Sequence, residues 1–79
     1  MASHPNRGRP SGASNPTPEA VRAAREAVGH TQTVAAGTIH GTLRSWQQWE
    51  LGERRMPPAA FDLYRLMTGQ HPKFVVVPR

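Results

Sequence analysis

An all-α fold of four short helices, compact and flanked by a basic N-terminal arm (residues 1–16) and a short C-terminal β-strand (within residues 70–79), is predicted by three features of this sequence. Residues 17–69 repeat a pattern of threonine starts (Thr17, Thr31, Thr42) and glycine stops (Gly29, Gly52, Gly69). Between them, apolar residues recur at helical spacing. The flanks differ: Met1–Thr17 is rich in Pro, Gly, Ser and Asn, and Phe74-Val75-Val76-Val77 is β-branched and short.

The first helix opens at Thr17-Pro18-Glu19, an N-cap, a proline at the first helical position and an acid in the first turn. Val21, Ala24, Arg25 and Val28 share one face at i, i+3, i+4, i+7, which places a charge, Arg25, on the side that should be buried. Thr31 caps a second, shorter helix in which Ala35, Ala36 and Gly37 permit close approach of another helix, while Val34 and Ile39 add apolar surface. Gly41 breaks the chain and Thr42 caps "LRSWQQWELG", where Trp46, Trp49 and Glu50 fall on one face. Arg44, Gln47, Gln48 and Leu51 fall on the other. Pro57-Pro58 opens the fourth helix, with Phe61, Leu63, Tyr64, Leu66 and Met67 as apolar contacts before Gly69 and Pro72.

Seventy-nine residues, of which about 60 lie outside the polar leader, make a small core that is marginal alone. There is no cysteine, and His4, His30, His40 and His71 lack metal-ligand spacing, so disulfides and zinc are not expected to supplement it; self-association is. No apolar run reaches the length of a signal-peptide core or a membrane span, and a cytoplasmic protein is expected. Ten Lys/Arg against five Asp/Glu give a net charge of +5, and nine of the ten are arginine, the side chain suited to bidentate contacts with phosphate and guanine.

Two short helices joined by a tight turn around His40-Gly41, the second with a polar outer face, have the layout of a helix-turn-helix. The stretch "REAVGHTQTVAAGTIHGTLRSWQQWELGERRMPP" resembles the XRE/Cro-like family. It matches without gaps that family's Arg, Gly-x-Thr-Gln, Ala, Thr/Ser cap, paired core residues and Glu-x-Gly, over about residues 17–69 of this chain. It is most similar to compact phage and plasmid regulators with a Trp-x-x-Trp-Glu-x-Gly recognition helix, a group that includes anti-CRISPR-associated repressors. Two positions depart: the family has a large aliphatic where Ala35 stands and a glycine where His40 stands, which predicts a looser second helix or a reshaped turn.

The resemblance implies a sequence-specific transcriptional regulator, most simply a repressor or autorepressor at the bacterial nucleoid. The resemblance also accounts for the odd charges: Arg25 and Glu50 on buried faces are expected to meet as an ion pair between helices 1 and 3, because either ion alone would be costly to bury. Trp46 and Trp49 are expected to be scaffold rather than platforms for base stacking. The N-terminal half of the recognition helix would present Leu43, Arg44, Gln47 and Gln48 to base edges, the positions at which the family makes its base contacts. Thr31, Gln32, Thr42, Ser45, Arg54 and Arg55 are the candidate partners of the DNA backbone. Arg7-Gly8-Arg9-Pro10 resembles the core of an AT-hook, so Arg7, Gly8 and Arg9 are candidates for the minor groove.

One recognition helix reads only about 4–6 base pairs, so a homodimer on an inverted repeat of double-stranded DNA is expected. Phe74, Val75, Val76 and Val77 are the candidate seam, helix 4 the alternative. No catalytic set is evident: there are five acids, no cysteine, and no Ser or His with a recognisable base and orienter. No cofactor, membrane or small-molecule substrate is implied. An antitoxin that neutralises a protein partner as well as binding DNA is the alternative function.

Overall fold

The computed structural model describes residues 14–74, which form four α-helices: α1 (Pro18–Ala27), α2 (Gln32–Thr38), α3 (Leu43–Leu51) and α4 (Pro58–Met67). Among the described residues there is no strand. The expected arm residues Arg7, Gly8 and Arg9 and the strand residues Val75, Val76 and Val77 lie outside the described residues; Phe74 lies within them, irregular in conformation and 62% exposed.

Local chemistry accounts for where the first three helices begin. Thr17, Thr31 and Thr42 are extended, and their side-chain oxygens accept hydrogen bonds from the backbone N–H of Ala20, Val34 and Ser45, at 3.0, 3.1 and 3.1 Å. α4 has no side-chain cap; Pro58 at its first turn lacks an N–H that would otherwise need one. α3 ends at Gly52, whose φ of 79° is the left-handed conformation that lets Glu53 N–H reach back to Gln48 O at 3.0 Å. The turn between α2 and α3 requires the same conformation at His40, φ 58°. This is the departure the sequence flagged: a histidine occupies a left-handed position in the turn, and Gly41 N–H closes it on Ala36 O at 2.8 Å.

The core is formed by Val21, Ala24, Ala35, Ala36, Trp46, Met56 and Tyr64, with Ile39, Trp49, Ala60 and Phe61 packed around it. α2 and α1 both pack on α3, and α4 packs on α2. Trp46, wholly buried, is the hub: its ring lies 4.9 Å from that of Tyr64 and 5.6 Å from that of Trp49. Ala35 and Ala36 are the small residues under α2 that leave room for these rings. Burying Val21 and Met56 stabilises by about 1.5–3 kcal/mol each. Met56 is a loop residue that helical periodicity could not assign to the core.

Several apolar residues of the helices stay exposed. Val28 ends α1 as its cap and is exposed, because the helix stops before that residue can complete the buried face. Val34 is half exposed, since α2 meets α3 through its alanine side. Leu63 and Met67 face outward: Tyr64 is the one fully buried residue of α4, with Phe61 and Leu66 half-buried, and the other side of the helix, where Leu63 and Met67 stand four residues apart, is exposed. Long-range hydrogen bonds tie the ends down. Asn15 Nδ2 donates to Met56 O at 2.9 Å, which fixes the last residues of the expected arm to the domain, and Gln70 Nε2 donates to Ala24 O at 2.9 Å. His30 Nδ1 and the Tyr64 hydroxyl lie 2.8 Å apart. No described helix is long and apolar enough to cross a membrane.

Candidate nucleic-acid interface

α3 has two faces of opposite chemistry. Inward are Trp46 and Glu50; outward are Leu43, Arg44 and Gln47, with Gln48 and Ser45 half-buried beside them. The outward set falls at i, i+1, i+4 and i+5, which is one side of a helix. Nothing acidic interrupts it, since Glu50, the acid in α3, is buried at 6% exposure.

Glu50 is held by four side chains from all three N-terminal helices. Arg25 Nε donates to Oε2 at 2.6 Å and Arg25 Nη2 to Oε1 at 3.0 Å, a fork across one carboxylate. Trp46 Nε1 donates to Oε2 at 2.5 Å, Gln32 Nε2 to Oε1 at 3.1 Å, and Arg22 Nε lies 3.5 Å from Oε1. Arg25 Nη1 also donates to His30 O at 3.1 Å, so most of its fork is used. Burial alone would push the Glu50 carboxyl upward, but the hydrogen bonds from Arg25, Trp46 and Gln32, with the Arg25 charge, outweigh it and hold the group at about 2. The hydrogen bond to Glu50 in turn raises Arg25 above its ordinary value. Burial is the main cause raising the Tyr64 hydroxyl. The result is a rigid ionic seam beneath α3 that fixes the direction of its outer face.

The residues expected along a DNA backbone are placed unequally. Arg54 and Arg55 are exposed in the loop after α3 and form no ion pair among the described residues. Gln32 turns inward, one amide N–H committed to Glu50, which leaves its second N–H and its oxygen for any outside partner. Thr31 uses its oxygen as a cap acceptor and keeps its hydroxyl proton. Thr42 uses both functions, accepting from Ser45 N and donating to Ser45 Oγ at 3.1 Å, so Ser45 carries the remaining hydroxyl donor of that pair.

The two tryptophans part company. Trp46 is sealed in the core with its N–H on Glu50, while Trp49 packs against it yet stays half-buried, beside Gly52, Arg54 and Arg55. Helical periodicity assigned them one face; the end of α3 at Gly52 leaves the second near the surface. Sequence reasoning missed Arg22, Gln32 and Trp46 as partners of Glu50, and Asn15 as a lock on the loop before α4. The i, i+4 spacing of Trp46 and Glu50 was the one local signal for that hydrogen bond.

Among the described residues, no cluster of three or more His, Cys, Asp or Glu is placed to hold a metal ion. No protein-family model matches this chain, and no curated protein matches it.

Proposed function

We propose that the protein is a helix-turn-helix transcriptional regulator of the XRE/Cro-like kind, binding double-stranded DNA sequence-specifically and acting as a phage-type repressor. The observation that carries this reading is the asymmetry of α3: an inner face fixed by the Glu50 network and an outer face of Leu43, Arg44, Gln47 and Gln48 free of acidic groups. An α-helix with its side chains is about 10–12 Å across, a diameter that a major groove about 12 Å wide admits, and the nine residues of α3 run about 14 Å along it. In that groove Arg44 pairs with guanine, Gln48 with adenine, Leu43 packs on a thymine methyl, and Gln47 takes a base or a phosphate. Arg54 and Arg55 hold the backbone. Repression follows by occupying a promoter and excluding polymerase.

Trp46 is unavailable for stacking on unpaired bases, being fully buried, which favours duplex over single-strand binding. Arg7, Gly8 and Arg9, in the arm of residues 1–16, enter the adjacent minor groove. The functional unit is a homodimer on an inverted repeat. α4 supports its seam, because Leu63 at 43% and Met67 at 54% exposure stand one turn apart on an outer face that also carries Ala59. Selection of bound duplexes from a random pool tests the reading: enrichment of one palindromic sequence is expected, and recovery of no preferred duplex refutes it.

A further inference from the structure

A groove of about 550 Å³ runs between the segment that leads into α1 and the loop that leaves α3. Asn15, Thr17 and Pro18 line one side, Trp49, Arg54 and Arg55 the other. Both walls are fixed. Asn15 is bonded to the carbonyl of Met56, and the Met56 side chain is buried in the core, so the loop carrying the arginines is anchored just beyond them. At the other end of that loop, Arg54 N–H and Glu53 N–H both return to Gln48 O, at 3.3 and 3.0 Å. Gly52 forms the corner; a Cβ there would meet Pro18 Cγ at 3.5 Å, which measures how closely the two walls approach at their base.

The groove combines an apolar wall with unneutralised positive charge. Trp49, half-buried, supplies the apolar wall, and no hydrogen bond from its indole N–H is found among the described residues. The two guanidiniums are unpaired among those residues, and the nearest acid in sequence is Glu53. An occupant must therefore be anionic and offer a flat or apolar edge. The chain's own arm does not qualify: residues 1–13 hold Arg7 and Arg9 and no acid, so that segment, from this copy or a second, is repelled by Arg54 and Arg55.

We infer that this groove binds one nucleotide of a DNA strand flanking the base pairs read by α3, its phosphate between Arg54 and Arg55 and its sugar edge against Trp49. The inference rests on the reading of the protein as a duplex binder and extends it: to the backbone contact already given to Arg54 and Arg55 it adds Trp49 and the groove that holds the nucleotide. Trp49 becomes a nucleic-acid contact in its own right, its N–H a donor to phosphate oxygen and its ring a surface for the deoxyribose. The contact lengthens the bound site without reading a base.

The test uses the full chain and a duplex enriched from the random pool, with a single methylphosphonate moved through each flanking position. One position is expected to weaken wild-type binding roughly tenfold, the cost of one charge-assisted phosphate contact, and the Arg54→Ala/Arg55→Ala variant is expected to lose less than about twofold from the same change. Saturating duplex should shield Trp49 emission from acrylamide. In Trp49→Phe, which keeps an aromatic ring against Trp46, the remaining emission should not respond to duplex. A methylphosphonate penalty undiminished in the arginine variant, or a Trp49 equally quenchable in a saturated complex that still depends on Arg44, overturns the groove assignment alone. Failure to enrich any duplex overturns the DNA-binding reading and this inference together. Protection of Trp49 by poly-glutamate but not by duplex assigns the groove to an acidic protein partner and overturns the inference.

Discussion

Arg25 of α1 grips Glu50 of α3 with two nitrogens, Nε at 2.6 Å and Nη2 at 3.0 Å, across 25 residues of sequence. The carboxylate is nearly sealed, its side chain 1% exposed, and the ion pair it forms is the joint through which α1 fixes α3. Removing Arg25 takes the main counter-ion from a buried charge.

Arg25→Ala is accordingly expected to destabilise the domain by about 3–5 kcal/mol, enough to unfold much of so small a protein. Arg25→Met combined with Glu50→Leu should recover part of that loss, because no ion of the pair is then left uncompensated, while the buried Trp46 N–H that loses its acceptor keeps the double variant below wild type. Urea denaturation of the two variants beside wild type checks this; equal midpoints for wild type and Arg25→Ala would rule out the joint.

Acid should weaken the fold through the same carboxylate. Glu50 is depressed from an ordinary value of 4.5 to about 2, so its contribution is fully present above about 4.5 and is lost as pH falls through about 2. Thermal melts between pH 6 and pH 2 should fall steeply across that window for wild type. Glu50→Gln, less stable at neutral pH, should show a flatter profile.

His40 holds a left-handed φ of 58° in the turn between α2 and α3. Left-handed backbone costs a residue with a Cβ about 1–2 kcal/mol, and glycine's greater freedom in the unfolded chain returns part of that. His40→Gly is expected to stabilise by up to about 1 kcal/mol, and His40→Val to destabilise, since a β-branched residue tolerates that region least. Calorimetry of the two variants separates the outcomes.

Base and backbone contacts should differ in kind. Arg44→Ala is expected to weaken binding to the selected duplex by about 1–3 kcal/mol and relax preference at one base pair. Arg55→Ala should weaken binding to every duplex alike and lower the salt slope by about one. Titrations on the selected and scrambled duplexes at several salt concentrations distinguish them; uniform weakening by Arg44→Ala would reduce that residue to a phosphate contact.

The exposed face of α4 should control assembly. Leu63→Glu and Met67→Glu place a charge on a surface that no described residue covers, so they are expected to leave the fold intact, yield a monomer in sedimentation and lose most affinity for an inverted repeat. A variant that stays dimeric moves the seam elsewhere, and deletion of residues 73–79 then tests the C-terminal segment.

The sequence by itself determined the helix starts and stops and the all-α class, because those rest on interactions within four residues: Thr17, Thr31 and Thr42 bond the N–H three positions on, and Gly52 turns left-handed one residue past its helix. It also placed Arg25 and Glu50 on inward faces, where each needed a partner. Only the tertiary structure decided how the inward groups meet. Gln32 and Arg22 join Glu50 from 18 and 28 residues away, Asn15 reaches Met56 across 41, and Trp46 is sealed while Trp49 is left at a groove. Periodicity fixes which side of a helix is buried; which neighbour lies there, and how deeply, depends on the angles at which the helices cross, and those are set by the volumes packed between them.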